Sequence, residues 1–167
     1  MAIVFFSYSH VDEELRDQLE KHLTMLKRQG VIETFHDPRI PVGNDLDRSI
    51  SGELQRADVI LLLVSPDFLA SAYCYDIEMQ WALERHSRGE ARVIPVILRH
   101  CDWHSAPFGK LVATPRDGKP VKSFPDLDEA FLQVTQAIRA AVAGHGSQAG
   151  AAPVAVLSAI APLRWVA

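Results

Sequence analysis

The sequence predicts an α/β domain, a sandwich of three layers around a central parallel sheet of four to five strands. Short apolar runs alternate with segments of helical periodicity along most of the chain. The run Val59–Val64 is apolar throughout, which is typical of a strand that is covered on both faces. The 167 residues suffice for one such domain with a real core, but not for two.

The first strand is predicted at Ile3–Phe6, followed by polar residues. Ser9, with Asp12 three positions later, has the form of a helix N-cap and its capping-box partner. The helix that follows carries an apolar stripe with charged residues opposite, and Gly30 ends it. The stripe consists of Val11, Leu15, Leu19, Leu23 and Leu26.

A second strand is predicted at Val31–His36, and the loop Asp37–Asn44 follows it. Two prolines and a glycine disfavour helix in this loop. Asp45 or Asp47 then caps a short helix that ends at about Arg56.

The pair Ser65–Pro66 follows the third strand and predicts an N-cap with proline at the first helical position. Helix resumes over Ser71–His86, and a fourth strand is predicted at Arg92–Leu98. Pro95 fits a central position in a sheet poorly.

Residues 100–124 are rich in proline and glycine and predict a loop. Asp126 then caps a final amphipathic helix. Its apolar positions are Phe131, Val134, Ile138 and Val142. This order of elements implies a flavodoxin-like topology. We place the domain at residues 1–143 and expect residues 144–167, rich in alanine and glycine, to be a linker or tail that leads to a domain outside this chain.

Composition excludes several classes of function. The net charge is −4 with no long basic run, so we expect no direct nucleic-acid binding. No apolar run reaches the ~18 residues of a membrane span, and the first residues read as a strand rather than a signal peptide. Two cysteines, Cys74 and Cys101, suit a reducing compartment, so we expect a cytoplasmic protein without membrane contact.

Glu78 lies near the start of the helix that follows the third strand. Parallel sheets open their binding crevice at the carboxyl ends of the strands, so this carboxylate is well placed for a site. A lone helical glutamate is ordinarily a solvated surface residue. Cys74, Trp81 and Ala82 share one helical face with Glu78, and such a face can line a partly desolvated pocket.

Three segments together resemble the Toll/interleukin-1 receptor (TIR) domain family, and the match covers about residues 1–143. Phe5–Ser9 resembles the family's first box, Asp37–Gly43 its second box or BB loop, and Ser71–Glu78 the helix that carries the glutamate of TIR enzymes. The versions found here are similar to those of bacterial members. The resemblance implies the TIR fold.

The resemblance further implies an NAD+ nucleosidase that cleaves the bond between nicotinamide and ribose, with Glu78 as the catalytic residue. The products would be nicotinamide and ADP-ribose or a cyclic isomer. NAD+ is the substrate, and no cofactor or metal is expected. Other TIR domains and a sensor domain or partner protein are the implied partners, with activation by oligomerisation in bacterial antiviral defence.

The resemblance also implies two sets of site residues. The residues expected to contact the substrate are Phe6, Ser7, Tyr8, Ser9, Arg39, Ile40, Cys74 and Trp81. Those expected to act in oligomerisation are the BB-loop residues Asp37, Pro38, Arg39, Ile40, Pro41, Val42 and Gly43. Several TIR enzymes have tryptophan where this chain has Cys74, so stacking on the substrate would come from elsewhere.

Other functions remain open or are excluded. The main alternative is a non-catalytic TIR interaction module, and a nucleoside deoxyribosyltransferase-like enzyme is a minor one. A phosphoacceptor receiver domain is excluded, because its acidic residues are replaced by Ser7–Ser9 and Ser65–Pro66. His100–His104 looks like a metal cluster but lacks a second ligand pair, and we expect a strand end with a buried Trp103 instead.

Overall fold

Four parallel strands form the central sheet, in the order β2-β1-β3-β4. The computed structural model describes residues 1–36, 52–72 and 74–150, with side chains up to residue 144. The strands are β1 (Ala2–Ser7), β2 (Ile32–His36), β3 (Val59–Val64) and β4 (Arg92–Ile97). This arrangement confirms the predicted parallel α/β fold.

Helices connect the strands. The α-helices are α1 (Glu13–His22), α2 (Thr24–Arg28), α3 (Gly52–Arg56), α4 (Pro66–Ala70), α5 (Gln80–Ser87) and α6 (Leu127–Gly150). A π-helical turn spans Cys74–Met79, and 3₁₀ turns span His10–Asp12, Arg116–Gly118 and Val121–Ser123. No helix in the described part of the chain combines the length and the apolar character that crossing a membrane requires.

Two hydrophobic cores lie on opposite faces of the sheet. Neighbouring residues of β1 point to opposite faces, so Phe6 packs with α1 and α6 while Phe5 packs with α3, α4 and α5. All six residues of β3 are buried, which explains why this strand is apolar at every position. The four predicted apolar residues of α6 are also buried.

The predicted apolar stripe of the first helix is correct except at Val11. Leu15, Leu19, Leu23 and Leu26 are buried, whereas Val11 is 58% exposed. Residues 10–12 form a 3₁₀ turn ahead of α1, and its tighter winding takes Val11 out of line with the helical stripe.

The structure agrees with both predictions made for prolines. Ser65 caps α4 as expected, because its Oγ accepts the N–H of Phe68 at 3.1 Å and Pro66 opens the helix. Pro95 proves compatible with β4, which forms an edge of the described sheet. Its carbonyl accepts the N–H of Thr114 at 2.9 Å.

The final helix begins as predicted, since Oδ1 of Asp126 accepts the N–H of Asp128 at 2.9 Å. It continues to Gly150, beyond residue 143 at which we place the end of the domain. Residues 151–167 and the predicted caps of α3, Asp45 and Asp47, lie outside the described residues.

Phe131→Ala will lower the free energy of unfolding by about 3–5 kcal/mol, because it leaves a cavity in the core between α6 and the sheet. Its neighbour Leu132 is 51% exposed, so Leu132→Ala is the matched control and will change stability by less than about 1 kcal/mol. Urea unfolding followed by circular dichroism measures both. Equal losses in the two variants would show that α6 does not pack as described.

Candidate functional site

The candidate site lies where the strand order of the parallel sheet reverses. β2 lies on one side of β1, and the chain then crosses over so that β3 lies on the other side. The carboxyl ends of β1 and β3 therefore flank the switch point, which is where α/β sheets bind ligands. Ser7 is the last residue of β1 and pairs in register with Leu62 of β3. Its side chain is fully buried at this edge.

Glu78 reaches the same point from the π-helical turn. It is only 3% exposed, and its Oε1 accepts a hydrogen bond from Oγ of Ser7 at 2.9 Å. Because a buried carboxylate is costly without donors, this contact accounts for a serine at the end of an otherwise apolar strand. Glu78 is therefore not a solvated surface residue.

The helix around Glu78 differs from the predicted one. The α-helical spacing predicts regular helix over residues 71–86, but residues 74–79 form a π-helical turn with i→i+5 hydrogen bonds. Such turns are frequent at functional sites. Cys74 and Glu78 are both buried in the described structure, and Ala82 lies in the adjoining core.

Cys74 is attached to the same end of β1. Its Sγ donates to the backbone carbonyl of Tyr8 at 3.1 Å. Burial, and secondly the charge of Glu78, raise the pKa of the Cys74 thiol to about 12. The thiol is thus protonated at neutral pH and is a donor rather than a nucleophile.

Phe6 and Tyr8 lie on the other side of β1. Phe6 is 1% exposed in the core with α1 and α6, so it does not present its ring to the side on which Ser7 and Glu78 meet. The guanidinium of Arg16 lies 5.6 Å from the centroid of the Phe6 ring and 5.4 Å from that of Tyr8. Burial raises the pKa of the Tyr8 phenol, and its ring contacts His36 edge-on.

The remaining predicted residues are placed as follows. Ser9 caps the first 3₁₀ turn, its Oγ accepting the N–H of Val11 at 3.3 Å. Trp81 packs beside the core that contains Cys74, and its indole N–H is buried without a hydrogen-bond partner in the described part of the chain. Arg39 and Ile40, like the whole predicted BB loop 37–43, lie outside the described residues.

Sequence reasoning missed a polar network at the same edge of the sheet. Asp12, 3% exposed, accepts the hydroxyl of Ser65 and the Nε of Arg99, the latter at 3.1 Å. Arg99 also pairs with Asp67. The carboxylate of Asp12 thus serves the ends of β3 and β4, and not the capping box that we predicted. One signal was available: all these residues follow strand ends that parallel pairing brings together.

No group of three or more His, Cys, Asp or Glu side chains within residues 1–36, 52–72 and 74–144 is arranged to hold a metal ion. In the segment His100–His104, Trp103 is 7% exposed, which confirms its predicted burial. Its ring stacks on that of His104 with centroids 3.8 Å apart.

The fold and the site define a three-layer α/β domain with a buried carboxylate at the switch point of its sheet. The sequence profile of the TIR domain matches residues 4–131. The chain therefore belongs to the TIR domain family, as its three boxes indicate.

Two relatives add to this assignment. The uncharacterized protein y4lF of Sinorhizobium fredii (strain NBRC 101917 / NGR234) is 65% identical over 161 residues, which are 96% of this chain and 50% of that protein. The chain thus spans half the length of this curated relative. Among solved structures, the TIR domains of the activated Roq1 resistosome, described as directly recognizing the pathogen effector XopQ, match with a TM-score of 0.53. At 21% identity over 83% of this chain and 99% of that one, the match shows the shared fold.

Arg99→Ala will lower the free energy of unfolding by about 3 kcal/mol, because it leaves the buried carboxylate of Asp12 without its cation. Arg88→Ala is the control, since Arg88 and its partner Glu90 are both largely exposed and the loss there will be about 0–1 kcal/mol. Urea unfolding measures both variants. Similar losses would mean that the Asp12–Arg99 pair does not hold the strand ends together.

Alkylation of Cys74 by iodoacetamide will be slow in the native Cys101→Ser chain. Because the pKa of the thiol is raised from 9.0 to about 12, its thiolate fraction and the alkylation rate will climb about tenfold per pH unit beyond pH 9 and will level off only near pH 12. The urea-unfolded chain is the control and will level off near the ordinary pKa. A plateau near pH 9 in the native chain would contradict the buried, protonated thiol.

Proposed function

We propose that this TIR domain is an NAD+ nucleosidase in which Glu78 is the catalytic carboxylate. It would cleave the bond between nicotinamide and ribose to give nicotinamide and ADP-ribose or a cyclic isomer. The observation that carries the proposal is the burial of Glu78 at the switch point of the sheet, held by Ser7 at 2.9 Å. Membership of the TIR family supports the proposal, because the resemblance of the three sequence boxes to that family implies NAD+ cleavage.

Cleavage of the bond between nicotinamide and ribose requires few catalytic groups besides this carboxylate. Nicotinamide leaves with the electron pair of the C1′–N bond and becomes neutral, so no general acid is required. Positive charge develops on the ribose as in glycoside hydrolysis, and a nearby carboxylate stabilises it. Water then attacks C1′ and loses a proton to give ADP-ribose, or a nitrogen of the adenine attacks to give a cyclic product.

The position of Glu78 suits this role. A carboxylate shielded from water acts more strongly on a developing charge than an exposed one, because the local dielectric is lower. The hydroxyl of Ser7 orients the carboxylate before the substrate arrives, so little reorganisation is needed in the transition state. Ser7, Tyr8, Ser9, Arg39, Ile40 and Trp81 remain our predicted substrate contacts. Phe6 contributes to the core beneath β1, and the thiol of Cys74 is engaged with the carbonyl of Tyr8.

We further propose that activity depends on assembly with other TIR domains. The matched Roq1 TIR domains belong to an activated resistosome, which supports TIR–TIR association as a mode of activation. The relative from Sinorhizobium fredii is twice as long as the matched region, which leaves room for a sensor domain. Under this proposal the segment 37–43 contacts the neighbouring domain, and the protein acts in antiviral defence in the bacterial cytoplasm.

A second candidate function is a non-catalytic TIR interaction module. The Ser7–Glu78 hydrogen bond favours it to a degree, since the same bond ties the π-helical turn to β1 and would serve a purely structural role. The two functions differ in a measurable way, because an interaction module releases no nicotinamide.

Glu78→Gln will lower the rate of nicotinamide release from NAD+ by at least about 100-fold, because it removes the charge that stabilises the transition state. The assay uses the full 167-residue chain fused to a self-associating tag, with nicotinamide quantified by liquid chromatography. Glu84→Gln is the matched control, an exposed glutamate on α5, and will retain the wild-type rate.

Two results would reject the proposed enzymatic function. One is the absence of nicotinamide release from the clustered wild-type chain. The other is a Glu78→Gln variant that turns over like Glu84→Gln. Glutamine keeps the shape of the side chain and can accept the hydrogen bond from Ser7, so we expect Glu78→Gln to fold. Thermal unfolding of each variant shows whether a lower rate of nicotinamide release reflects lost structure.

A further inference from the structure

Two side chains of the π-helical turn form hydrogen bonds with two consecutive residues, the last residue of β1 and the residue that follows it. Glu78 accepts the hydroxyl of Ser7 at 2.9 Å, and Cys74 donates its thiol proton to the carbonyl of Tyr8 at 3.1 Å. The attachments lie at the first and fifth positions of the π-helical turn. A turn held at both points cannot rotate about either one.

The start of this turn is fixed from a third direction. The N–H of Cys74 donates to Oγ of Ser71 at 3.1 Å, and the N–H of Tyr75 donates to the Ser71 carbonyl at 2.9 Å. The backbone of Cys74 is therefore held by its own chain, while its side chain reaches β1. Cys74 is 4% exposed, so its thiol is shielded from solvent.

The thiol is suited to this contact. Burial and the charge of Glu78 keep it protonated, so it remains a donor over the whole physiological pH range. The carbonyl that it meets belongs to Tyr8, one residue beyond the end of β1, where ladder hydrogen bonding has ended. A donor at this point fixes the chain exit beside Ser7.

We propose that Cys74 is a positioning residue that holds the Glu78 carboxylate in its reactive place by tying the start of the π-helical turn to the exit of β1. The proposal rests on the proposed NAD+ cleavage by Glu78 and deepens it. The position where several TIR enzymes carry an aromatic ring then serves geometry rather than stacking. Substrate binding depends on other contacts, so loss of the tie affects turnover more than affinity.

The variants Cys74→Val and Cys74→Ser distinguish the loss of the hydrogen-bond donor from a change in side-chain volume. Valine keeps a similar volume but cannot donate, whereas serine can donate and is smaller. We expect the valine variant to lose about tenfold or more in kcat with KM nearly unchanged, and the serine variant to recover most of that loss. Cys101→Ser is the matched control and will keep both constants. Cys74→Ala supplies the same comparison with serine should valine prevent folding.

A second measurement is independent of turnover. In chains labelled with carbon-13 at glutamate, the resonance that disappears in Glu78→Gln belongs to the Glu78 carboxyl carbon. Its chemical shift and titration report the contact with Ser7. We expect them to change in Cys74→Val and to stay at the wild-type values in Cys74→Ser and Cys101→Ser.

These readouts separate the two proposals. An inactive wild-type chain rejects the NADase, and the Glu78 resonance alone then decides whether Cys74 positions the carboxylate. An active wild type with unchanged kcat in Cys74→Val overturns the positioning role, even if that variant melts earlier. A lower kcat together with an altered Glu78 resonance, both restored by serine, supports it.

Discussion

The hydrogen bond between Ser7 and Glu78 is the contact on which the rest of the site depends. It joins residues 71 positions apart, one at the end of β1 and the other on the turn that follows α4. A carboxylate with 3% exposure requires donors, and the strand end supplies one. The bond therefore explains two irregular features together: a serine in a buried apolar strand, and an acid at a buried position of a helical turn.

The alternation of β1 organises the surroundings of this bond. Ser7 points toward Glu78, while Phe6 and Tyr8 point to the opposite face and lie beneath the guanidinium of Arg16. The chain exit is therefore held from both sides of the sheet. Asp12, a few residues later, is tied through Arg99 to the end of β4. The edge that carries the candidate site is thus braced by hydrogen bonds and ion pairs.

The structural role of Glu78 and its proposed catalytic role rest on the same geometry. A carboxylate that stabilises a developing charge acts best when it is fixed before the reaction begins. In the proposed mechanism this fixation comes from Ser7, which donates to Glu78, and from the protonated thiol of Cys74, which donates to the carbonyl of Tyr8. Under the proposed function, the charge of Glu78 is what distinguishes an enzyme from a non-catalytic interaction module.

The sequence by itself determined the elements whose signals are local. The unbroken apolar run of β3, the Ser65–Pro66 cap and the stripe of α6 each appear in the described structure where periodicity and capping chemistry place them. The order of the three boxes also indicates the family, and the third box contains Glu78. The strand, the cap and the helical stripe each depend on residues within a few positions of one another.

Only the tertiary structure decided which side chains meet. The carboxylate of Asp12 bonds to Ser65 and Arg99, which are distant in the chain, and, within the described residues, not to a group in its own turn. The thiol of Cys74, at the start of the π-helical turn, meets the carbonyl of Tyr8. Phe6 faced the core because its strand alternates. The physical reason is common to all: burial forces polar groups to find partners wherever the fold brings them, and no local pattern records that choice.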